Sequence, residues 1–272
     1  LLEAIHLVSV GRSFRGAKEA EMIGFDADAA SVSVDFTDSV RRQNLTLRLY
    51  RGKKRQIEQN HIKLQKMSEM IGQYRTVLFC PEDLYLIREG ASARRKFLDS
   101  AISQIRPRYA QALAEYNKLH EHKTRILRDW PENPSLLDTL DDFNLRMAQT
   151  GAILIHYRAH FIKRLNEHAP AIHADFSGAR EQLSLNYETV STVTEPLAHP
   201  RDILPQLLAH QESHRQAELD SRQCLSGPHK DDLLVDVNGV SAKTYGSQGQ
   251  TRTAALSLKL AQREIFQEET GE

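Results

Sequence analysis

Residues 245–255 read Tyr-Gly-Ser-Gln-Gly-Gln-Thr-Arg-Thr-Ala-Ala and lead directly into an apolar run with helical spacing. Ser247 and Gln250 have the spacing of a capping box, in which each side chain accepts a hydrogen bond from the other residue's backbone amide. Gly249 has no Cβ, so a ligand can approach its backbone closely. A helix start of this kind offers free N–H groups and a positive dipole end, which favour phosphate. The spacing alone also fits an ordinary capped helix after a turn.

The composition limits the class of protein. The chain has 272 residues, with 36 basic and 36 acidic side chains. This length allows one large domain or two smaller ones, and the neutral balance confines any DNA contact to a local basic patch. Cys80 and Cys224 are the only cysteines, which argues against a disulfide framework and favours a reducing cytoplasm. No apolar run approaches the roughly 20 residues that span a bilayer, and no signal peptide is visible. We therefore expect a cytoplasmic protein without a membrane partner.

Apolar residues at three- and four-residue steps predict several helices. One covers residues 1–8, and a long one covers 92–129 with an interruption at Pro107. After a Pro-containing turn at 130–134, a second long helix is predicted to end at Pro170. The two long helices would form an αα-hairpin. A further helix is predicted from His199 to about Arg222.

Alternating apolar and polar residues predict strands. The pattern runs through residues 31–64 and returns at 182–190. Residues 77–80 predict a short buried strand. Another strand, over 233–237, is followed by Asn238-Gly239, a pair typical of a type I′ hairpin turn.

The turn at Gly52 carries a cluster of basic residues that includes Arg51, Lys53, Lys54 and Arg55. Such a cluster can bind a DNA backbone by releasing counterions. It is also typical of a solvated sheet edge, and no aromatic residue lies between the charges to stack on bases. Both interpretations stay open.

The stretch Gly227-Pro228-His229-Lys230-Asp231-Asp232 combines an imidazole with two carboxylates. These groups suit divalent ions, so a metal site or a metal-dependent nuclease is one hypothesis for His229, Asp231 and Asp232. The alternative is a polar loop that precedes a strand.

Four segments together resemble the RecF family of bacterial recombination-repair proteins, which belongs to the ABC/SMC-type ATPases. In order, they are residues 1–15, 77–99, 226–233 and 247–253. The last of them resembles the ABC signature motif. The resemblance implies an α/β (α+β) P-loop ABC-ATPase-like head with an inserted α-helical arm. Residues 1–90 and 223–272 would form the two parts of the head, and residues 91–222 would form the arm.

In that family the phosphate loop would lie just before Leu1 and the acidic Walker B strand after Glu272. We therefore expect the 272 residues to be a fragment that lacks both elements and does not itself hydrolyse ATP, although the parent protein would be a weak ATPase. Val77 stands where other ABC ATPases carry a glutamine that senses Mg²⁺, so this loop is not expected to bind metal. A non-catalytic, SMC-like scaffold protein is the alternative.

The resemblance also implies a function: ATP-dependent DNA binding in recombination, replication-fork maintenance and the SOS response. Two heads would dimerise around ATP and Mg²⁺ on gapped DNA, and with RecO and RecR they would help to load RecA. Ser247, Gly249 and Gln250 would contact the ATP held by the partner subunit. Arg12 and Arg15 would face phosphates of the nucleotide or of DNA, although solvated loop arginines are an equal alternative.

Overall fold

A computed structural model describes residues 1–38 and 40–271. These residues form two compact units. The first contains Leu1–Leu78 and Ser103–Ala110, and the second contains Phe79–Ile102 and the chain from Gln111 onward. Among the described residues, none of the helices combines the length and the apolar character needed to cross a membrane.

The first unit contains a four-stranded antiparallel sheet whose strands follow one another in chain order. The strands are β1 (Ala29–Thr37), β2 (Arg42–Tyr50), β3 (Lys53–Gln59) and β4 (Ile62–Leu64). Helix α1 (Leu2–Val10) precedes the sheet, and the single-turn helix α2 (Met67–Met70) follows it. The predicted helix at the start of the chain and the predicted strands over 31–64 are confirmed.

The core of this unit forms on one face of β2, because successive side chains of a strand point to opposite faces. Leu45, Leu47 and Leu49 are all buried, and they share one apolar cluster with Ile57 of β3 and Leu7 of α1. The alternation that predicted a strand therefore also selects the buried face.

The predicted strand over residues 77–80 is wrong. Residues 75–80 have no strand partner among the described residues. The Cys80 N–H, which a sheet would pair with a neighbouring strand, donates instead to Asp83 Oδ2 at 2.9 Å. This bond caps a 3-10 helix at Pro81–Tyr85. A local capping interaction therefore replaces the sheet pairing that the apolar run suggested.

The chain after residue 90 is mainly helical. Its helices are α3 (Ala91–Ile105), α4 (Pro107–Asp129), α5 (Leu140–Ser177), α6 (Pro200–Ser221), α7 (Ala242–Tyr245) and α8 (Gln248–Thr270). A three-stranded antiparallel sheet consists of β5 (Leu183–Glu188), β6 (Asp232–Val237) and β7 (Val240–Ser241). Within the second unit α5 packs against α6, α8 and β5.

Most of the predicted boundaries are confirmed in this part of the chain. Pro107 begins α4 and Pro200 begins α6, because the first turn of a helix does not need the missing N–H. Asn238 and Gly239 have φ values of 54° and 76° and join β6 to β7, as the type I′ turn predicts.

Pro170 does not end α5, which continues to Ser177. A proline inside a helix costs about 3 kcal/mol or more. The helical turns that follow it are held by tertiary packing, since His173 and Ser177 are both buried. One turn before the proline, the Asn166 side chain binds both the N–H and the carbonyl of Leu185 in β5. Packing against the sheet therefore outweighs the local preference.

Candidate functional site

The start of α8 has the predicted capping geometry. Ser247 is the N-cap, and its Oγ accepts from the Gln250 N–H at 3.1 Å. The Gln250 Oε1 in turn accepts from the Ser247 N–H at 2.9 Å. The N–H groups of Gln248 and Gly249 have no acceptor within the described residues. The helix therefore presents two free donors at its positive end.

This helix start is open to solvent. Ser247, Gln248 and Gly249 are exposed, and Gln250 is half-buried. A Cβ added at Gly249 would come no closer than 3.8 Å to another group, the Ser247 Oγ. The fold of this chain therefore does not require glycine at position 249. Exposed donors beside a glycine that the chain does not need form a surface that an external anion can approach closely.

Gly246, only three residues earlier, has the opposite role. A Cβ there would lie 2.4 Å from the carbonyl oxygen of Ala242. The Gly246 carbonyl also accepts from Arg88 Nη2 at 3.3 Å. Gly246 is therefore required for the close approach of α7 to the start of α8.

A chain of polar contacts supports the cap from inside the second unit. The Gln250 Nε2 donates to Glu181 Oε1 at 3.0 Å, and the other oxygen of Glu181 lies 3.0 Å from Nε2 of the buried His173. The His173 Nδ1 is 3.4 Å from Ser257 Oγ, two turns along α8. We call Gln250, Glu181, His173 and Ser257 the cap relay. No sequence pattern indicates this relay, because Glu181 and Gln250 are 69 residues apart.

Arg12 and Arg15 lie in the loop that follows α1 in the first unit. Both Arg12 and Arg15 are exposed. The Arg15 guanidinium is 3.9 Å from Glu3 and stacks 5.6 Å from the centre of the Phe14 ring. Ser13 is buried, and its hydroxyl bonds to Glu3. The loop is thus held in place by Glu3 while both arginine side chains reach the surface.

The basic turn between β2 and β3 divides into two kinds of side chain. Arg51 donates to the carbonyls of Ala27 and Gly24 at 2.9 Å. Arg55 donates to the Gly11 carbonyl and pairs with Glu19, so both arginines stabilise the first unit. Lys53 and Lys54 are exposed, and within the described residues neither ammonium group has a hydrogen-bond or ion-pair partner.

His229, Asp231 and Asp232 are occupied by contacts to other protein groups. His229 lies 2.8 Å from the Tyr116 hydroxyl and 3.1 Å from the Cys224 carbonyl. Asp232 forms a two-bond ion pair with Arg94. No set of three or more His, Cys, Asp or Glu side chains among the described residues is arranged to hold a metal ion. The geometry therefore favours a structural role over the metal-site hypothesis.

Asp231 is the centre of a buried network. The residue is 1% exposed, and its carboxylate accepts from Arg158 Nη1 at 2.8 Å, from Thr189 Oγ1 at 2.7 Å and from the Tyr187 hydroxyl. The other side of the Arg158 guanidinium binds Asp99. These bonds join α3, α5 and β5 to the segment before β6. Removing one member of the network would leave an unpaired buried charge, which is costly. The stability of the second unit therefore depends on all of its members together.

Burial determines the titration of several of these groups. Burial raises the pKa of Asp231, an effect that Arg158 and the two hydroxyl donors oppose. Burial lowers the pKa of His229 to about 3, so this imidazole is neutral at physiological pH. Burial and the neighbouring Asp83 raise the pKa of the Cys80 thiol to about 11, which keeps it protonated and unreactive.

The comparisons with known proteins agree on one family. Curated proteins named DNA replication and repair protein RecF from Acetivibrio thermocellus and Alkaliphilus oremlandii are each 36% identical to the chain over its whole length. The one from Staphylococcus epidermidis is 35% identical. The chain spans 73% of the length of each of these relatives. No family model matches the chain.

Solved structures give the same result. A structure of the recombination mediator protein RecF-ATPrS in the RecFOR pathway superposes with a TM-score of 0.93 at 34% identity. The corresponding RecF-ATP structure superposes with a TM-score of 0.92, also at 34% identity. The match covers all of this chain and 72% of each of those chains. With its whole length matched in sequence and in fold, the chain belongs to the RecF family.

Proposed function

We propose that this chain is part of an ATP-dependent recombination mediator that acts on DNA in the cytoplasm. Its relatives are named for DNA replication and repair, and the matching structures are of RecF with ATP or ATPrS. The observation that carries the proposal is the exposed, capped start of α8, where two N–H donors and a serine hydroxyl lie beside a glycine without an internal packing role. Residues 1–90 and 223–272 are proposed as parts of the head, and 91–222 as the arm.

In this proposal the start of α8 binds the terminal phosphate of an ATP held by a second copy of the chain. The Ser247 Oγ already accepts from Gln250, and its hydroxyl hydrogen remains available to donate. The backbone N–H groups of Gln248 and Gly249 add two donors along the helix dipole. ATP, with Mg²⁺, supplies the negative charge that joins the two copies.

Gln250 contributes mainly by holding the Ser247 hydroxyl and the two backbone N–H donors in position. Its oxygen is used by the Ser247 N–H and one Nε2 hydrogen by Glu181, which leaves one hydrogen for a phosphate. The cap relay therefore fixes the orientation of the donors before any ligand arrives. Such preorganisation lowers the entropic cost of binding.

The first unit supplies the proposed contacts with nucleic acid. Lys53 and Lys54 are the strongest candidates for DNA phosphates, since Arg51 and Arg55 are occupied by contacts within their own unit. Arg12 and Arg15 are proposed as further phosphate contacts, to nucleotide or to DNA. Through gapped DNA and partners of the RecO and RecR type, the protein would help to load RecA. The scaffold alternative has no observation that favours it.

Analytical ultracentrifugation of the full-length protein tests the proposal. We expect a dimer with a non-hydrolysed ATP analogue and a monomer with ADP, because ADP lacks the phosphate that the second copy binds. Gly249→Ala places a methyl group on the binding surface without disturbing the fold, so it should weaken the dimer. Gln248→Ala is the matched control, since it changes the neighbouring side chain and leaves both N–H groups free.

Equal dimerisation with the analogue and with ADP would refute the proposal. Sustained ATP hydrolysis by the 272 residues alone would contradict the expectation that they are inactive.

A further inference from the structure

A groove of about 370 Å³ lies between α5 and α6 in the second unit, and no function described above uses it. Its walls come from one short segment of each helix. The side chains that matter are Asp141, Asn144, Leu145, Leu208, Gln211 and Glu212.

The two helices present matching triplets to this groove. Residues 141, 144 and 145 of α5 are spaced i, i+3, i+4, and so are residues 208, 211 and 212 of α6, so each triplet occupies one helix face. The helices run antiparallel, since Leu140 shares a cluster with Leu219, and Ile155 shares another with Ile203. Followed in one direction, the order on both helices is carboxylate, amide and leucine, with Asp141, Asn144 and Leu145 on α5 and Glu212, Gln211 and Leu208 on α6.

Two amide side chains that line the groove each carry an acceptor without a donor. The Asn144 Oδ1 and the Gln211 Oε1 are both buried, and neither has a hydrogen-bond partner. Gln211 is only 4% exposed, so water does not supply the hydrogen bond that its Oε1 lacks. A buried acceptor without a partner costs free energy, and native proteins rarely leave one unless a ligand or water satisfies it.

The charge at the groove selects a cation. Asp141 and Glu212 are exposed at its rim, and no basic side chain is among the residues that line it. Arg215, just outside the lining, already binds Asp141 through Nη1. Asp141 therefore already has a guanidinium partner within the chain, which leaves Glu212 as the rim carboxylate available to a second one. Nucleic acid and acidic peptides are disfavoured by the two carboxylates.

We propose that this groove binds an arginine side chain of a partner protein, next to an apolar residue that covers Leu145 and Leu208. A guanidinium has five donors in a plane, so it can satisfy two amide oxygens and a carboxylate at once. Lysine offers a compact and more strongly hydrated charge, which fits a row of separated acceptors less well. Leu145 is 42% exposed, and a neighbouring apolar side chain would remove it from water.

Nuclear magnetic resonance with a defined probe tests this assignment. The probes are blocked tetrapeptides with a central leucine–arginine pair or a leucine–citrulline pair, because citrulline keeps the shape of arginine and removes its charge. We expect the arginine peptide to shift the side-chain amide signals of Asn144 and Gln211 saturably. The citrulline peptide should bind at least about tenfold more weakly, as expected for the loss of a charge-assisted bond.

Variants separate the groove from general surface charge. The double variant Asp141→Asn/Glu212→Gln should lose at least about tenfold in affinity for the arginine peptide. The control Asp142→Asn/Asp220→Asn removes two carboxylates from the same helices outside the groove and should bind normally. Equal binding of the two peptides, or equal loss in both double variants, would overturn the proposal. Broadening of the groove signals with protein concentration in the absence of peptide would also overturn it, since a second copy would then be the occupant.

Discussion

The cap relay makes a sharp prediction for Gln250→Glu. A glutamate keeps the acceptor that the Ser247 N–H requires, so the capping box itself remains. It loses the Nε2 donor and brings a second carboxylate to the oxygen of Glu181 that now lies 3.0 Å away. We therefore expect the variant to be destabilised although glutamate is a common residue at this position of a capping box.

The magnitude follows from two contributions. A hydrogen bond to a charged group contributes about 1.5–3 kcal/mol. Two like charges about 4 Å apart repel by up to about 4 kcal/mol at the effective dielectric constant of a protein surface, and solvent and side-chain movement reduce this considerably. Because the Glu181 side chain is 23% exposed, we expect a total loss of about 3 kcal/mol in the free energy of unfolding at pH 7.

Urea unfolding followed by circular dichroism measures this loss, and its pH dependence identifies the cause. In the folded variant, protonation of one of two adjacent carboxylates relieves their mutual repulsion. The folded variant therefore binds a proton more tightly than its unfolded chain does, and its stability falls as the pH rises. The deficit should be largest at pH 7 and should narrow as the pH approaches 4, where one carboxyl is protonated and can donate again.

Two variants control for charge and for position. Gln248→Glu adds the same charge two residues before Gln250, in the first turn of α8, where a carboxylate interacts favourably with the helix dipole, so stability should stay equal or rise slightly. Adding Glu181→Gln to Gln250→Glu reverses the direction of the hydrogen bond and should restore most of the loss. Wild-type unfolding of Gln250→Glu at pH 7, or an equal loss of stability in Gln248→Glu, would contradict the predicted repulsion between positions 250 and 181.

Three further predictions test other parts of the second unit. Gly246→Ala should lower the free energy of unfolding by about 1–3 kcal/mol, because its Cβ would lie 2.4 Å from the Ala242 oxygen, whereas Gly249→Ala should not lower it; thermal denaturation distinguishes the two. His229→Gln should flatten the loss of stability on acidification from pH 6.5 toward 4, since the folded pKa of about 3 means that the unfolded chain takes up the proton first; an unchanged slope in urea titrations would contradict this. Gln211→Leu removes a buried oxygen without a partner and should raise stability by about 1 kcal/mol, and a measured loss would contradict the unsatisfied state of this oxygen.

Features set by neighbours in sequence were predictable. The capping box at Ser247 depends on a three-residue spacing, and the hairpin turn after β6 depends on the dihedral preferences of Asn238 and Gly239. Pro107 divides two helices because its ring excludes one backbone hydrogen bond. In each case the energy that decides the structure is contained in a few consecutive residues.

Features set by distant residues were not predictable. Pro170 remains inside α5 because the turns after it are buried, and the run at 77–80 is not a strand because no neighbour pairs with it. Glu181 supports the cap from 69 residues away, and its spacing to Gln250 has no regular period. Asp231 similarly suggested metal chemistry in the sequence, while in the structure its donors come from Arg158, Tyr187 and Thr189.

The two glycines at the start of α8 show how structure separates folding from binding where sequence does not. Gly246 and Gly249 look equivalent in a glycine-containing turn, yet only Gly246 faces a backbone atom that excludes a side chain. Gly249 gives up the stability that alanine would provide in a helix, about 0.5–1 kcal/mol, and receives no packing in return. The lack of a Cβ at this position is explained by a ligand from outside the chain that approaches the backbone closely. Because the adjacent N–H groups are donors without acceptors, the ligand should be an anion. In the proposed ATP-linked dimer, the terminal phosphate of ATP occupies this position.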